Sequence, residues 1–176
     1  MSVAKYTADF MTKQNEGKIK YLLKRCIRDL AVVAIIVSII FMVMNRWIAE
    51  YLRLRSSLLY TVALLMPFIF LVPIVRGILQ GRGQFAALSA NNAIEGITKL
   101  VVGPLLILAG LSTEGAVAAI LIAMGVAFLV GFFPLRKLHR GEAEVFQVRQ
   151  VYKYGLMLGV MLTSLTLFYT ADVIIV

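Results

Sequence analysis

Five long apolar runs, separated by short basic segments, leave this chain little choice of architecture. They cover about residues 30–47, 58–75, 85–111, 116–135 and 154–176. A helix needs about 20 largely apolar residues to cross the hydrocarbon core of a bilayer. Closed β-barrels are the other spanning solution, but their strands are short and alternate with period two, which these runs do not. The expectation is an all-α, polytopic transmembrane helix bundle with about five spans. Composition agrees: the chain is 61% hydrophobic and 15% charged, where soluble domains are about 25% charged.

The net charge of +9 can signal nucleic acid, an anionic membrane or topology. Here the cations cluster between apolar runs and no aromatic platform interleaves with them, so nucleic-acid binding is excluded as a function class. Counting alternate connections puts fourteen Lys and Arg on one side, from Lys5 to Arg28, at Arg76 and Arg82, and from Arg136 to Lys153. Only Arg46, Arg53 and Arg55 fall on the other. The positive-inside rule then predicts a multi-pass protein of the cytoplasmic (inner) membrane with its N-terminal segment in the cytoplasm. Trp47 and Tyr51 beside Arg46 are expected to be interfacial anchors.

Four regions follow. Residues 1–29 form a cytoplasmic amphipathic lead, 30–135 four transmembrane helices, 136–153 a cytoplasmic linker and 154–176 a further span. In the lead, Ile19, Leu22, Leu23, Cys26, Ile27 and Leu30 recur at helical spacing among Lys and Arg, which predicts a helix lying on the lipid surface and running into the first span. Val145, Val148, Val151 and Tyr152 make a weaker stripe of the same kind. The first apolar run starts too late for a cleavable signal peptide. The chain stops within an apolar run, at Val173 to Val176, so it is expected to be a piece of a longer protein.

Polar groups inside spans are costly and usually face a cavity or one another. In the third run, Asn91, Glu95 and Lys99 are four residues apart and share one helix face, with Asn92 beside them. Two readings stand open: a hydrated cavity in which Lys99 meets an anionic group, or a self-neutralised pair that joins helices. Asp172 is the one acid of the fifth run, either an ion-coupling carboxylate or a wetted interfacial residue. Pro67, Pro73, Pro104 and Pro134 predict static helix bends. The glycine-rich Arg76 to Gly83 segment lacks the spacing of a P-loop or dinucleotide fingerprint and reads as a basic turn. With one cysteine, Cys26, and one histidine, His139, no disulfide or His/Cys metal site is expected, and neither is any other cofactor.

Several short motifs resemble the polysaccharide biosynthesis, or O-antigen flippase, family, part of the superfamily of multidrug extruders and lipid II flippases. They are Arg76-Gly77-Ile78-Leu79-Gln80-Gly81 with Phe85 after it, Asn92-Ala93-Ile94-Glu95-Gly96, Pro134-Leu135-Arg136 and Ala171 to Val176. The resemblance implies helices three to seven of a larger two-bundle transporter that moves an undecaprenyl-pyrophosphate-type lipid-linked oligosaccharide by alternating access. It also implies coupling to an H+ or Na+ gradient, membrane lipid as a partner and association with polysaccharide-assembly proteins. Lys99 and Arg76 would then be the cations for the pyrophosphate. A small-amphiphile exporter of the same superfamily is the nearer alternative, and a membrane-embedded transferase the more distant one. Enzymatic chemistry is not expected, because the one close acid pair, Glu142 and Glu144, falls in the linker.

Overall fold

The computed structural model describes residues 2–136, 144–146 and 148–175, with backbone alone for residues 165 and 167–175. Among the described residues the chain is all-α. The helices are α1 (Ser2–Thr12), α2 (Glu16–Val43), α3 (Asn45–Leu52), α4 (Ser56–Gly81), α5 (Phe85–Leu106), α6 (Ser112–Phe132) and α7 (Arg149–Ile175).

The α2 and α4 helices and the stretch Phe85–Arg136 are each long and apolar enough to cross a membrane. Fully straight, that last stretch of 52 residues would reach about 78 Å, far beyond any bilayer. It folds back instead. A π-helical turn at Ile107–Leu111 carries Gly110 at φ 91°, and Ser112 follows at φ 44° and ψ −128°. Only glycine adopts the first conformation without a steric cost. The result is a hairpin of α5 and α6, each just over 30 Å long by about 1.5 Å per residue. The protein is therefore a membrane-embedded helical bundle, and four of the five expected runs form helices of spanning length. The fifth run lies on α7.

The α6 helix lies between α4 and α5, and α2 covers the other side of α4, whereas α4 and α5 meet over a small area. The sequence of α6 explains its central position. Its buried residues are Gly115, Ala119, Ala123, Ala127 and Gly131, every fourth residue. In lipid, where apolar burial drives no association, close backbone approach along small residues supplies the attraction. A methyl on Gly131 would stand 2.6 Å from Val75 Cγ1 and 3.2 Å from Asn91 Nδ2. Elsewhere Ser38 Oγ donates to the Ala63 carbonyl at 2.7 Å, joining α2 to α4. Ser57 Oγ donates to Glu114 Oε1 at 2.5 Å at the end remote from α1.

The end that carries α1 and most of the cations, here the basic end, holds the best-packed core. Ile19, Leu22, Leu23 and Cys26 are at most 1% exposed and pack with Ile74, Val75, Ile78 and Leu79 of α4, together with Phe10, Leu135, Val148 and Val151. This corrects the lipid-surface reading of the Ile19 to Leu30 stripe, which faces protein, while α2 runs as one helix into the span as expected. Of the second stripe, Val148 and Val151 are buried while Val145 is exposed. Farther along α2, Val32, Val33, Ile35, Ile36, Ile39 and Ile40 are exposed, as a lipid-facing surface requires.

The Arg76 to Gly81 segment is not a turn but the last part of α4. Gly77 and Gly81, four apart, form the seat on which α1 crosses. A methyl on Gly81 would lie 2.5 Å from both the Ala4 carbonyl oxygen and Thr7 Cβ. Residues 144–146 and 148–154 then strap the start of α7 to α1 and α2. Glu144 accepts from Asn15 Nδ2 at 2.6 Å and pairs with Lys18 at 3.1 Å. Phe146 stacks edge-on to Phe10 and Tyr21, and the Tyr152 hydroxyl donates to Asp29 at 3.1 Å. Of the expected topology charges, Lys137 and Arg140 lie outside the described residues.

Two outcomes follow. Gly81→Val should displace α1, because the Ala4 backbone cannot yield as a side-chain tip can, at a cost of about 1–3 kcal/mol. Faster tryptic cleavage at Lys5 and Lys13 in the variant would register it, and unchanged cleavage would show that α1 is seated otherwise. The Asn15 amide and Lys18 hold the Glu144 carboxyl below its ordinary value of 4.5. A depressed carboxylate adds stability above its unfolded value, and that stability is lost as pH falls through the folded one. Protection against hydrogen exchange at Glu144, whose N–H donates to Gly17 O at 3.2 Å, should thus fall, after correction for the intrinsic rate, only below about pH 4.5. In Glu144→Gln that acid step should vanish.

Candidate functional site

On α5 the four-residue spacing places Asn91, Glu95 and Lys99 on one face, and the packing order turns that face toward α4 and α6. The helix buries Asn91 and Glu95, with Gly103 continuing the same line. From α4, Arg76 reaches across. Its Nε donates to Asn91 Oδ1 at 2.8 Å, and its Nη2 donates to Glu95 Oε2. Lys99 Nζ donates to the other carboxylate oxygen, Glu95 Oε1. Asn91 spends its own donor on α6, with Nδ2 to the Ala127 carbonyl at 2.6 Å. One connected network thus ties three helices.

Its depth follows from helix rise. Arg76 and Asn91 each sit about 8–9 Å from the basic ends of their helices, Glu95 about 15 Å and Lys99 about 21 Å. The cluster therefore runs from near the basic end of the bundle to beyond the middle of α5, a helix of 22 residues. Charge and exposure both change along it. Two cations share one carboxylate, so the cluster carries formal charge +1. Glu95 is 10% exposed and Arg76 25%, while Lys99 is 38% exposed. The inner members are fixed by several partners each, and Lys99 is the cation with room to meet another anion. Chemically the arrangement can hold an anionic oxygen beside Lys99.

Of the residues picked out from sequence, Arg76, Asn91, Glu95 and Lys99 come together. Asn92 does not: it is exposed on another face of α5. Asp172 lies on α7, and its side chain falls outside the described residues. Thr166, of the same run, bonds back to Leu162 O at 2.9 Å. Sequence reading missed the third side of the site, the Ala127 carbonyl and the Gly131 gap that admits Asn91. The four-residue rhythm of Gly and Ala on α6 was the signal that could have found it.

The fold and the cluster define a membrane-embedded α-helical protein with a buried, net-positive ion network. Comparison with family models, curated proteins and solved structures gives no match for this chain.

Breaking this network by its centre should be the most damaging change. Glu95→Ala leaves Arg76 and Lys99 facing each other without a counter-charge, a loss of about 3–5 kcal/mol. Glu95→Gln keeps one acceptor and should lose less. Thermal unfolding in detergent would rank the two. Equal, small losses would show that water already screens the cluster.

Proposed function

We propose that this chain is part of a transporter that moves a lipid-linked oligosaccharide of the undecaprenyl-pyrophosphate type across the cytoplasmic membrane. The observation that carries this reading is the net-positive cluster at membrane depth, with Lys99 partly exposed beyond its paired partners. A pyrophosphate needs cationic hydrogen-bond donors where water is scarce. Cations at this depth are expensive, and those retained usually serve a substrate path or one another. The motifs around Arg76 to Gly81 and Asn92 to Gly96 support the polysaccharide-exporter family. Fourteen cations against three support a cytoplasmic basic end. On this view Lys99 meets the head group while Arg76 and Asn91 hold Glu95 in place.

A second reading has its own observation. Both oxygens of Glu95 are taken, and Asn91 is tied to α6, as a clasp between helices requires. The clasp needs no substrate, and it would suit an exporter of small amphiphiles equally well.

The test is complementation. The complete gene is expressed in a cell lacking its own O-antigen flippase but making a matched glycan, and surface polysaccharide is measured. Restoration is expected, and Lys99→Ala should reduce it by roughly tenfold or more, the scale of one charge-assisted contact, with membrane insertion unchanged. Lys99→Arg should retain most of it. Wild-type restoration by Lys99→Ala would leave the residue as clasp alone. No restoration despite correct insertion would shift the reading to the small-amphiphile exporter.

A further inference from the structure

Outside the ion cluster, the basic end contains an open cavity of about 540 Å³ lined by Tyr21, Arg25, Phe146, Val148, Arg149 and Tyr152. It lies where the strap meets α2. Its lining is of two kinds: two guanidinium groups, and an apolar wall of three aromatic rings and a valine. Phe146 is fixed edge-on to Tyr21, with ring centroids 5.8 Å apart. Val148 is buried in the core, so the wall is built into the fold rather than laid over it.

Among the described residues the charge is not balanced at this junction. Asp29 is the acid at this junction. It receives Arg25 Nε at 2.9 Å, Arg28 Nε at 3.2 Å and the Tyr152 hydroxyl at 3.1 Å. Arg149 is exposed and has no partner among the described residues. Three arginines against one carboxylate leave a surplus of two positive charges beside an aromatic wall.

Depth narrows the ligand. About 7.5 Å of helix separates Arg25 from Leu30, where the apolar run of α2 begins. Arg149 and Tyr152 likewise precede the apolar run of α7. Polar head groups occupy roughly this thickness on each side of the hydrocarbon. A phosphate at this level, attached to an apolar body, is what the two halves of the lining fit. Basic pockets between helices at an interface bind anionic head groups in this way.

We infer that this cavity binds the head group of an anionic phospholipid, with the phosphate between Arg25 and Arg149 and the glycerol and upper acyl carbons against Tyr21, Phe146 and Tyr152. The lipid bridges α2 and the strap, and so fastens the start of α7 to the rest of the bundle. The assignment holds whether or not the chain moves a lipid-linked glycan.

The test uses the purified full chain in detergent micelles, with its thermal midpoint measured against added lipid. Phosphatidylglycerol should raise the midpoint, and phosphatidylcholine with the same acyl chains should not. In Arg149→Gln, roughly tenfold more phosphatidylglycerol should be needed for half the gain, the scale of one lost charge-assisted contact. The variant's midpoint without lipid should match wild type, because Arg149 has no partner to lose among the described residues. Arg136→Gln, which removes a basic-end cation outside the cavity, should keep the full response. An undiminished response in Arg149→Gln would overturn the site. So would an equal loss in Arg136→Gln, which would make the effect one of diffuse charge. Equal protection by inorganic phosphate at the same concentration would make the ligand a soluble anion and overturn the lipid assignment.

Discussion

Helices in a bilayer gain nothing from hiding apolar surface from one another, because the surrounding lipid is equally apolar. Contact has to come from backbones that approach closely, and in this protein α6 makes that approach possible. Its line of Gly115, Ala119, Ala123, Ala127 and Gly131 lets α4 lie on one side and α5 on the other. The turn at Gly110 returns the chain at the position this arrangement needs. Larger residues along the line would push α4 and α5 apart, and the distances that define the ion cluster would open with them.

The cluster illustrates the dependence. Asn91 fits because Gly131 leaves space and Ala127 presents its carbonyl. Once Asn91 is fixed, its oxygen faces the Arg76 guanidinium, which in turn faces Glu95. Each ionic group is tolerable at this depth because the next one is already placed. Half of such a network would be worse than none. At the basic end the forces differ. There a conventional apolar core, aromatic edges and surface ion pairs join α1, α2, α4 and the strap, much as in a soluble domain.

How far the sequence revealed this depended on the range of the interaction. The spanning helices were legible because length and apolarity act along a single segment. So was the shared face of Asn91, Glu95 and Lys99, which needs only helical period. The partner of a face is another matter. The Ile19 to Cys26 stripe looks the same whether it meets lipid or α4, since both are apolar, and periodicity carries no information about which. Arg76 stood out as a basic residue at a boundary, but its reach to Glu95 depends on two helices meeting. Gly77 and Gly81 were read as a turn because glycine is common there, while the spacing of four that seats α1 also fits a helix crossing. The seat becomes visible only when the crossing helix is known.

That crossing has a consequence for the order in which the molecule is made. The α1 helix leaves the ribosome before its seat on Gly77 and Gly81, which is synthesised about seventy residues later. At roughly 5–20 residues per second the delay is about 4–15 s. During that interval Phe10 and the apolar side of α1 lack the α4 surface they meet in the fold, which comes only after α2 has been made. The strap waits longer, since Phe146 closes over Phe10 and Tyr21 only after the α5–α6 hairpin is in place. A helix translated well before its seat thus waits for its position, and biogenesis depends on something keeping it soluble meanwhile: the bilayer surface, a chaperone or its own charge.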